Sequence, residues 1–522
     1  MNRELMLQNL KNTDQWDILV IGGGATGLGA AVDAATRGFK TLLVEQADFA
    51  KGTSSRSTKL VHGGVRYLAQ GDVSLVFEAL HERGLLMQNA PHLVRNQAFI
   101  IPAYEWWEGP FYNIGMKVYD LMAGKLGIGP SQKIDKKETL RAIPNLDQHG
   151  LLGGVIYYDG QFDDSRLAVN LAQTAADNGA VVLNYVKVVG LHKDADGLLD
   201  GALLHDLETD ERISVKARTI INATGIFSDQ VRQMDDPQAP KTVVPSQGVH
   251  LILNKTFLQG NSAIMIPHTS DGRVLFAVPW HNKVIVGTTD TPVNEVTLEP
   301  RPLKEEIDFL LNTSAQYLKK DPRPEDVLSI FAGLRPLAAP AGDAQSTKDI
   351  SRRHQISVSL SGLITITGGK WTTYRKMAQE VIDKAIIVGG LEEKDCTTRH
   401  LPIHGYLKNT DFNAPLFYYG ADRPLIEETV LVKDKRFKER LHPRLPYLKG
   451  EVVWAVHHEM ARTVEDVLAR RTRALFLDAK ASMDMADTVA KIMADELGRS
   501  RKWVKRQIED YKKLAQGYLL KK

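Results

Sequence analysis

The chain has 522 residues, 43% of them hydrophobic and 25% charged, enough for about two to four domains with sizeable cores. A formal net charge of +3 gives no support to a nucleic-acid binder, so no nucleic-acid partner is expected. The single cysteine, Cys396, excludes an intramolecular disulfide and a cysteine metal cluster, reads as a small buried hydrophobe and fits a reducing compartment; no metal site is expected.

Residues 1–16 are polar and charged and lack the apolar core of a signal peptide. No segment offers about 18 uncharged apolar residues, so no transmembrane helix is expected and any membrane contact is peripheral. Residues 15–48 read as a first β-α-β unit. The apolar run Ile18-Leu19-Val20-Ile21 predicts a buried parallel strand. Gly22, Gly24 and Gly27 then fit G-x-G-x-x-G at a strand-to-helix junction, and Thr41-Leu42-Leu43-Val44 predicts a second strand ending in Glu45. Together these point to an adenine dinucleotide: glycines leave room for a pyrophosphate at the helix N-terminus, and the acid meets the ribose hydroxyls. The motif does not choose between FAD and NAD, but Glu45 argues against a 2′-phosphate and hence NADP.

A Ser/Thr/Gly-rich loop follows over 49–66, then a helix over 75–90 that stops before Pro91. Residues 98–150 read as a crossing into a second domain. A helix over 165–179 and a strand over 180–184 come next. The apolar Thr219-Ile220-Ile221-Asn222 reads as a late parallel strand of the dinucleotide domain, brought back after an insertion. Alternating patterns at 250–253, 274–278 and 283–288 predict an antiparallel, substrate-side sheet, followed by a helix over 303–319. A last strand, 363–367, runs into Gly368-Gly369-Lys370 and another helix, a second place for an anion or an electron-rich ring edge. Residues 390–450 read as a proline-bearing, loop-rich linker, and from 451 the chain reads as helical. The tail, 498–522, holds nine Lys/Arg against two acids, a net of +7. Its Val504, Ile508, Tyr511, Ala515 and Tyr518 share a helical face. That face packs on its own domain, or the tail offers an amphipathic surface to anionic lipid or an acidic partner.

Six sequence blocks carry a resemblance. They are Ile21-Gly22-Gly23-Gly24-Ala25-Thr26-Gly27, Thr53 to Leu68 with its His62-Gly63-Gly64-Val65-Arg66-Tyr67 core, and Asn222-Ala223-Thr224-Gly225. The others are Gly287-Thr288-Thr289-Asp290, Gly333-Leu334-Arg335-Pro336-Leu337 and Gly368-Gly369-Lys370-Trp371-Thr372-Thr373-Tyr374-Arg375. In this order they resemble the FAD-dependent, respiratory, quinone-linked glycerol-3-phosphate dehydrogenases over about residues 15–380, and the stretch 464–472 is similar to that family's helical C-terminal domain. Two departures, Ile226-Phe227 where the family often has Pro-Trp and Ala25-Thr26 where it often has another small pair, touch no residue needed for chemistry.

The resemblance implies an α/β fold, α+β overall. Residues 1–389 would form a Rossmann-like FAD-binding domain interleaved with an antiparallel-sheet substrate domain, the latter mainly about 91–150 and 240–350. Residues 390–522 would form a C-terminal helical domain. It implies oxidation of sn-glycerol 3-phosphate to dihydroxyacetone phosphate by hydride transfer from C2 to FAD N5, with electrons passed to a membrane quinone. The expected location is cytoplasmic and peripheral, on the inner face of the cytoplasmic membrane, with a homodimer as the expected assembly. The alternative on the same substrate is an oxidase that uses oxygen and makes hydrogen peroxide. More distant alternatives are an amino-acid oxidase, which binds a carboxylate instead of a phosphate, and a non-catalytic flavoprotein scaffold.

Residue roles follow the same resemblance. Arg66 and Arg352 are expected on the phosphate, whose oxygens match guanidinium forks; Arg353 is the neighbour a one-residue shift would select. Tyr67 either joins the phosphate or packs in the core. Arg335 is expected to hold the developing alkoxide. His250 is the candidate general base; His62, the rival base, is assigned to the flavin environment. Lys370 is expected to stabilise the reduced flavin and to approach substrate. Ser54, Ser55, Ser57, Thr224, Gly225, Gly369, Thr372 and Thr373 are the remaining expected cofactor contacts, although for the serines and threonines local turn or cap bonding is the competing role.

Overall fold

The computed structural model describes residues 1–65, 72–267, 269, 274–338 and 353–520. Its first sheet is built on the glycine motif. Trp16–Ile21 pairs in parallel with Thr41–Val44 on one side and with Arg212–Asn222 on the other. Val181–Leu183 and Leu363–Thr367 extend the parallel array outward, and Gln355–Val358 closes one edge antiparallel. The segments at the centre of this sheet, residues 18–21, Thr41–Val44 and Leu363–Thr367, are buried throughout because both faces are covered. Ile18 and Val20 enter a core shared with the helices Ala25–Thr36, Asp164–Asp177 and Tyr374–Val388. Leu19 and Ile21 face the opposite cluster, which holds Leu10 of the Arg3–Asn12 helix and the ribbon Val186–Lys193 with Leu199–Asp206. The late strand is longer than its apolar end suggested, because residues 212–216 leave the parallel array to pair with that ribbon.

The second sheet carries the substrate side. Its main order runs Thr291–Pro292, Val243–Asn254, Lys283–Gly287, Leu275–Trp280, Ala263–Ile266, Val94–Ala103, Gly153–Phe162, Leu60–Val61. Val327–Ala338 pairs along the other side of Val243–Asn254. The sheet is mixed, not wholly antiparallel as expected: Ala263–Ile266 meets Val94–Ala103 in parallel, since these two strands come from distant stretches of chain.

Within the stretch read as a domain crossing lies a helix, Glu108–Ala123. Tyr112, Met116 and Tyr119 face inward. Phe111, Ile114, Val118 and Leu121 face outward and are exposed, as is neighbouring Trp106; Leu121 and Trp106 are each 81% exposed.

The segment read as a linker, 390–450, is instead packed. Ile403, Tyr418, Tyr419, Ile426 and Tyr447 are buried in the core that holds the glycine-motif helix. The prolines set turns, while the aromatic residues between them supply the burial. His404 bridges Asp177 at 2.6 Å and Asp422 at 2.9 Å. The helices Lys449–His458, Ala479–Leu497 and Arg501–Gln516 follow. Buried ion pairs key this half into the first: Asp48 accepts from Arg470 and Arg471, both at 2.5 Å, and Arg473 reaches Asp163 at 2.8 Å. Removing one partner of such a pair costs about 3–5 kcal/mol, because a charge is left buried. The apolar face of the basic tail lies on the protein itself: Tyr511, Ala515 and Tyr518 are buried, and Tyr518 O accepts from Ile330 N at 2.9 Å. Among the described residues no helix is long and apolar enough to cross a membrane.

Candidate active site

The glycine motif opens a cleft between strand and helix. Gly27 must be glycine, since a Cβ there would meet Gly22 O at 1.9 Å, so helix and strand touch through bare backbone. At Gly24 a Cβ would meet only Ser54 Oγ, at 3.2 Å, and the space in front of the helix N-terminus belongs to the cleft. Ser54 Oγ accepts from Ala25 N at 2.9 Å, capping the first helical turn from a neighbouring loop. Glu45 lines the cleft beside the glycine turn, its two oxygens accepting from Gly23 N at 2.7 Å and Ala47 N at 2.8 Å. Burial pushes its carboxyl up, against those two backbone hydrogen bonds. Thr224 and Gly225 line the same chamber from the end of the late strand.

This chamber continues into a second cavity of about 320 Å³. Thr53, Pro336, Gly368, Gly369, Lys370 and Trp371 line both, so the glycine–lysine junction stands where the two chambers meet. His62, His250, Arg335 and Thr372 line the second chamber. Arg335 sits on Val327–Ala338. Its Nη2 donates to Thr288 Oγ1 at 3.1 Å and to Thr289 O at 3.0 Å, and its Nη1 approaches Asp290 at 3.4 Å. The fork is therefore aimed before any ligand arrives.

His250 stands on the neighbouring strand, where Ser246 is the partner of Arg335 and His250 that of Phe331. It lies on Val243–Asn254 with Phe331 stacked on its ring at 4.9 Å between centroids, and its Nε2 is 2.9 Å from Thr58 Oγ1. Burial, with the charges of Arg335 and Lys59, holds its pKa well below the ordinary histidine range, so the imidazole is neutral. Burial likewise brings His62 down to about 4, against the nearby Asp159 carboxylate.

Other expected contacts are placed differently. Ser57 Oγ donates to Asp164 at 2.6 Å, part of a buried pair in which Lys59 Nζ lies 2.7 Å from the same carboxylate. Ser57 lines the second chamber with its hydroxyl bonded to that carboxylate. Ser55 is buried behind the cleft, outside both linings. Thr372 Oγ1 accepts from His62 N at 3.2 Å, whereas Thr373 Oγ1 donates to Lys370 O at 3.3 Å and faces neither chamber. Arg66, Tyr67 and Arg352 lie outside the described residues; Arg353 pairs with Asp72 at 2.9 Å. The sequence reading missed Thr58, Asp159 and Asp290 as lining residues. Thr58 and Asp290 lay in blocks already singled out, but Asp159 carries no local pattern that separates it from other strand residues.

Comparisons with known proteins agree with this architecture. Residues 17–375 match the family described as FAD dependent oxidoreductase, and residues 362–504 that described as C-terminal domain of alpha-glycerophosphate oxidase. The mitochondrial glycerol-3-phosphate dehydrogenase of Homo sapiens is 40% identical over 99% of this chain and 74% of its own length. A probable mitochondrial glycerol-3-phosphate dehydrogenase of Caenorhabditis elegans is 42% identical over 97% of this chain and 74% of its own. The chain belongs to the FAD-dependent glycerol-3-phosphate dehydrogenase family. The crystal structure of the Bacillus halodurans glycerol-3-phosphate dehydrogenase complexed with FAD superposes with a TM-score of 0.81 at 30% identity, covering 99% of this chain and 98% of that one.

The cofactor is FAD, and the residues present fit it. The first chamber offers a bare-backbone glycine turn and a helix N-terminus for the pyrophosphate, with Glu45 for the ribose. The junction at Lys370 lies where a long dinucleotide would pass its ring into the second chamber.

Proposed function

We propose that the protein oxidises sn-glycerol 3-phosphate to dihydroxyacetone phosphate and passes the electrons to a membrane quinone. The observation that carries this is the convergence of His250, Arg335 and Lys370 on one cavity continuous with the dinucleotide chamber. A scaffold or sensor needs none of these three.

Bound FAD supplies the acceptor for a hydride from C2. The chain supplies position and charge. Arg335, pre-aimed by Thr288, Thr289 and Asp290, stabilises negative charge growing on the C2 oxygen. His250 is the proton acceptor at Nε2, reached through the Thr58 hydroxyl, which lines the cavity and lies 2.9 Å from that nitrogen. A strongly depressed imidazole is a weak base, and Arg335 offsets this by weakening the hold of the substrate oxygen on its proton. Lys370 places a cation at the ring end, where negative charge collects on reduction. Arg66, Tyr67 and Arg352 are assigned to the phosphate; Val65, the residue before Arg66, lines the cavity.

The same reading divides the chain into an FAD and substrate part, 1–389, and a helical part, 390–522, and assembles it as a homodimer. It places the protein peripherally on the inner face of the cytoplasmic membrane. The outward face of Glu108–Ala123 supports this: Phe111, Ile114, Val118 and Leu121 are exposed together, and Lys117 and Lys125 lie on or just beyond the same helix, suited to anionic headgroups.

Anaerobic titration of the purified protein with sn-glycerol 3-phosphate tests the donor. Bleaching of the visible flavin band is expected. A flavin that dithionite reduces but this substrate does not would reject the assignment. Oxygen uptake without added acceptor, matching the reduction rate, would replace the quinone with oxygen.

A further inference from the structure

Tyr119 is buried at 1% exposure on the inward face of Glu108–Ala123. Its hydroxyl accepts from Gly63 N at 2.8 Å and donates to Asp159 Oδ2 at 2.7 Å. Arg83 Nη1 donates to the other oxygen of Asp159 at 2.8 Å, and both members of that pair are buried. Gly63 is pressed onto this hydroxyl: a Cβ at Gly63 would lie 2.6 Å from Tyr119 Oη. On its other side the same loop is held by His62 N donating to Thr372 Oγ1. His62, Gly64 and Asp159 line the second chamber, as do Lys370 and Thr372.

We propose that Tyr119 is a positioning residue for the reaction, fixing the His62-Gly63-Gly64 loop against the ring end of the cleft through its paired hydrogen bonds to Gly63 and Asp159. This rests on reading that cavity as the ring and substrate site. A hydroxyl is the one tyrosine feature that accepts and donates at once, and Arg83 holds Asp159 so that the donated bond has a fixed direction. Burial pushes the Tyr119 pKa well above the ordinary value, so the proton is retained for Asp159. Phenylalanine keeps the ring packing on Tyr157 but leaves the Gly63 N–H unpaired and Asp159 short of one donor.

The test is Tyr119→Phe in the full-length protein, with amide hydrogen exchange over residues 60–65 measured with and without FAD. Melting temperature, FAD content and single-turnover reduction by sn-glycerol 3-phosphate are measured beside it. Exchange in that segment is expected to rise at least tenfold, and the reduction rate at saturating substrate to fall at least threefold. FAD content and half-saturating substrate are expected within twofold of the parent. Unchanged exchange, or a lowered melting temperature with an unchanged rate, overturns the proposal. Should Tyr119→Phe lose cooperative melting, Asp159→Asn takes its place: Arg83 can only donate and so claims the single amide oxygen, the tyrosine hydroxyl faces an NH2 group and loses its acceptor, and undisturbed exchange over 60–65 overturns the proposal there. If the parent flavin is not reduced by sn-glycerol 3-phosphate while the exchange effect persists, the substrate reading fails and the positioning role stands.

Discussion

Gly287 lies against the imidazole of His250: a Cβ at Gly287 would fall 2.3 Å from His250 Cδ2. The two are cross-strand partners, and Phe331, the partner of His250 on its other side, stacks on the ring. The imidazole is therefore clamped between a bare backbone and an aromatic face. Gly248 does the same for Arg335, whose Nη2 would lie 2.3 Å from a Cβ there.

Gly287→Ala tests the clamp. The added methyl must push the ring off its place, and Phe331 leaves no room to yield. Misplacing a catalytic group by about 1 Å costs on the order of 10²-fold in rate. Flavin reduction is expected to fall to that degree with FAD content unchanged; a rate within twofold of the parent shows that His250 is not the proton acceptor.

Arg335→Ala removes the charge aimed at the substrate oxygen. Losses of this kind run at about 10²–10³ in rate. FAD is expected to stay bound, because Arg335 lines only the second chamber. Loss of FAD would move Arg335 from substrate to cofactor. Arg335→Lys is expected to recover little, since one ammonium cannot reproduce a fork that reaches Thr288, Thr289 and Asp290 together.

The pH dependence of reduction follows from His250. Its pKa is lowered by burial and by Arg335 and Lys59, so the neutral, accepting form persists well below pH 6.5, the ordinary histidine value. The acid limb of the reduction rate is expected well below that pH. An acid limb centred at the ordinary value contradicts a buried His250 as the acceptor. Thr58→Val, which removes the hydroxyl beside Nε2, is expected to slow reduction without moving that limb upward.

His404 ties fold stability to pH. Burial lowers its pKa, but the hydrogen bonds to Asp177 and Asp422 win and raise it from 6.5 to about 9. A pKa raised by folding adds stability that is complete below the unfolded value and is lost as pH climbs through the folded one. Melting temperature is expected to fall between pH 6.5 and 9 more steeply in the parent than in His404→Gln. Parallel slopes would show that the bridge contributes nothing.

Ile114→Glu with Leu121→Glu tests the membrane-facing role of Glu108–Ala123. Both side chains are exposed, so the fold is expected to tolerate the change. Co-sedimentation with anionic vesicles is expected to drop at least tenfold. Binding that survives this change but is lost on deleting residues 498–522 assigns the contact to the basic tail.

The dinucleotide half was legible because its signals are local. The Ile18–Ile21 run, the glycine turn, Glu45 and the strand Leu363–Thr367 each depend on neighbours a few residues away, and the strands appear where expected. The linker reading of 390–450 failed for the opposite reason. Prolines and glycines advertise loops, but whether a loop is packed depends on a distant surface, here the helix Ala25–Thr36 and its neighbours.

The site divides in the same way. Sequence alone determined the kinds of group present, with glycine at the turns, arginine and lysine for anions and histidine for a proton, because these chemistries are written in residue type and short spacing. Only the tertiary structure decided which of them meet. Ser57 was tied to Asp164 across 107 positions, Thr58 was placed on His250 across 192, and the Gly63 backbone was tied to Tyr119 across 56. Contacts of that range are set by strand register and by the space glycines leave open. Neither is determined by a residue's own neighbours, so neither is visible until the chain has packed.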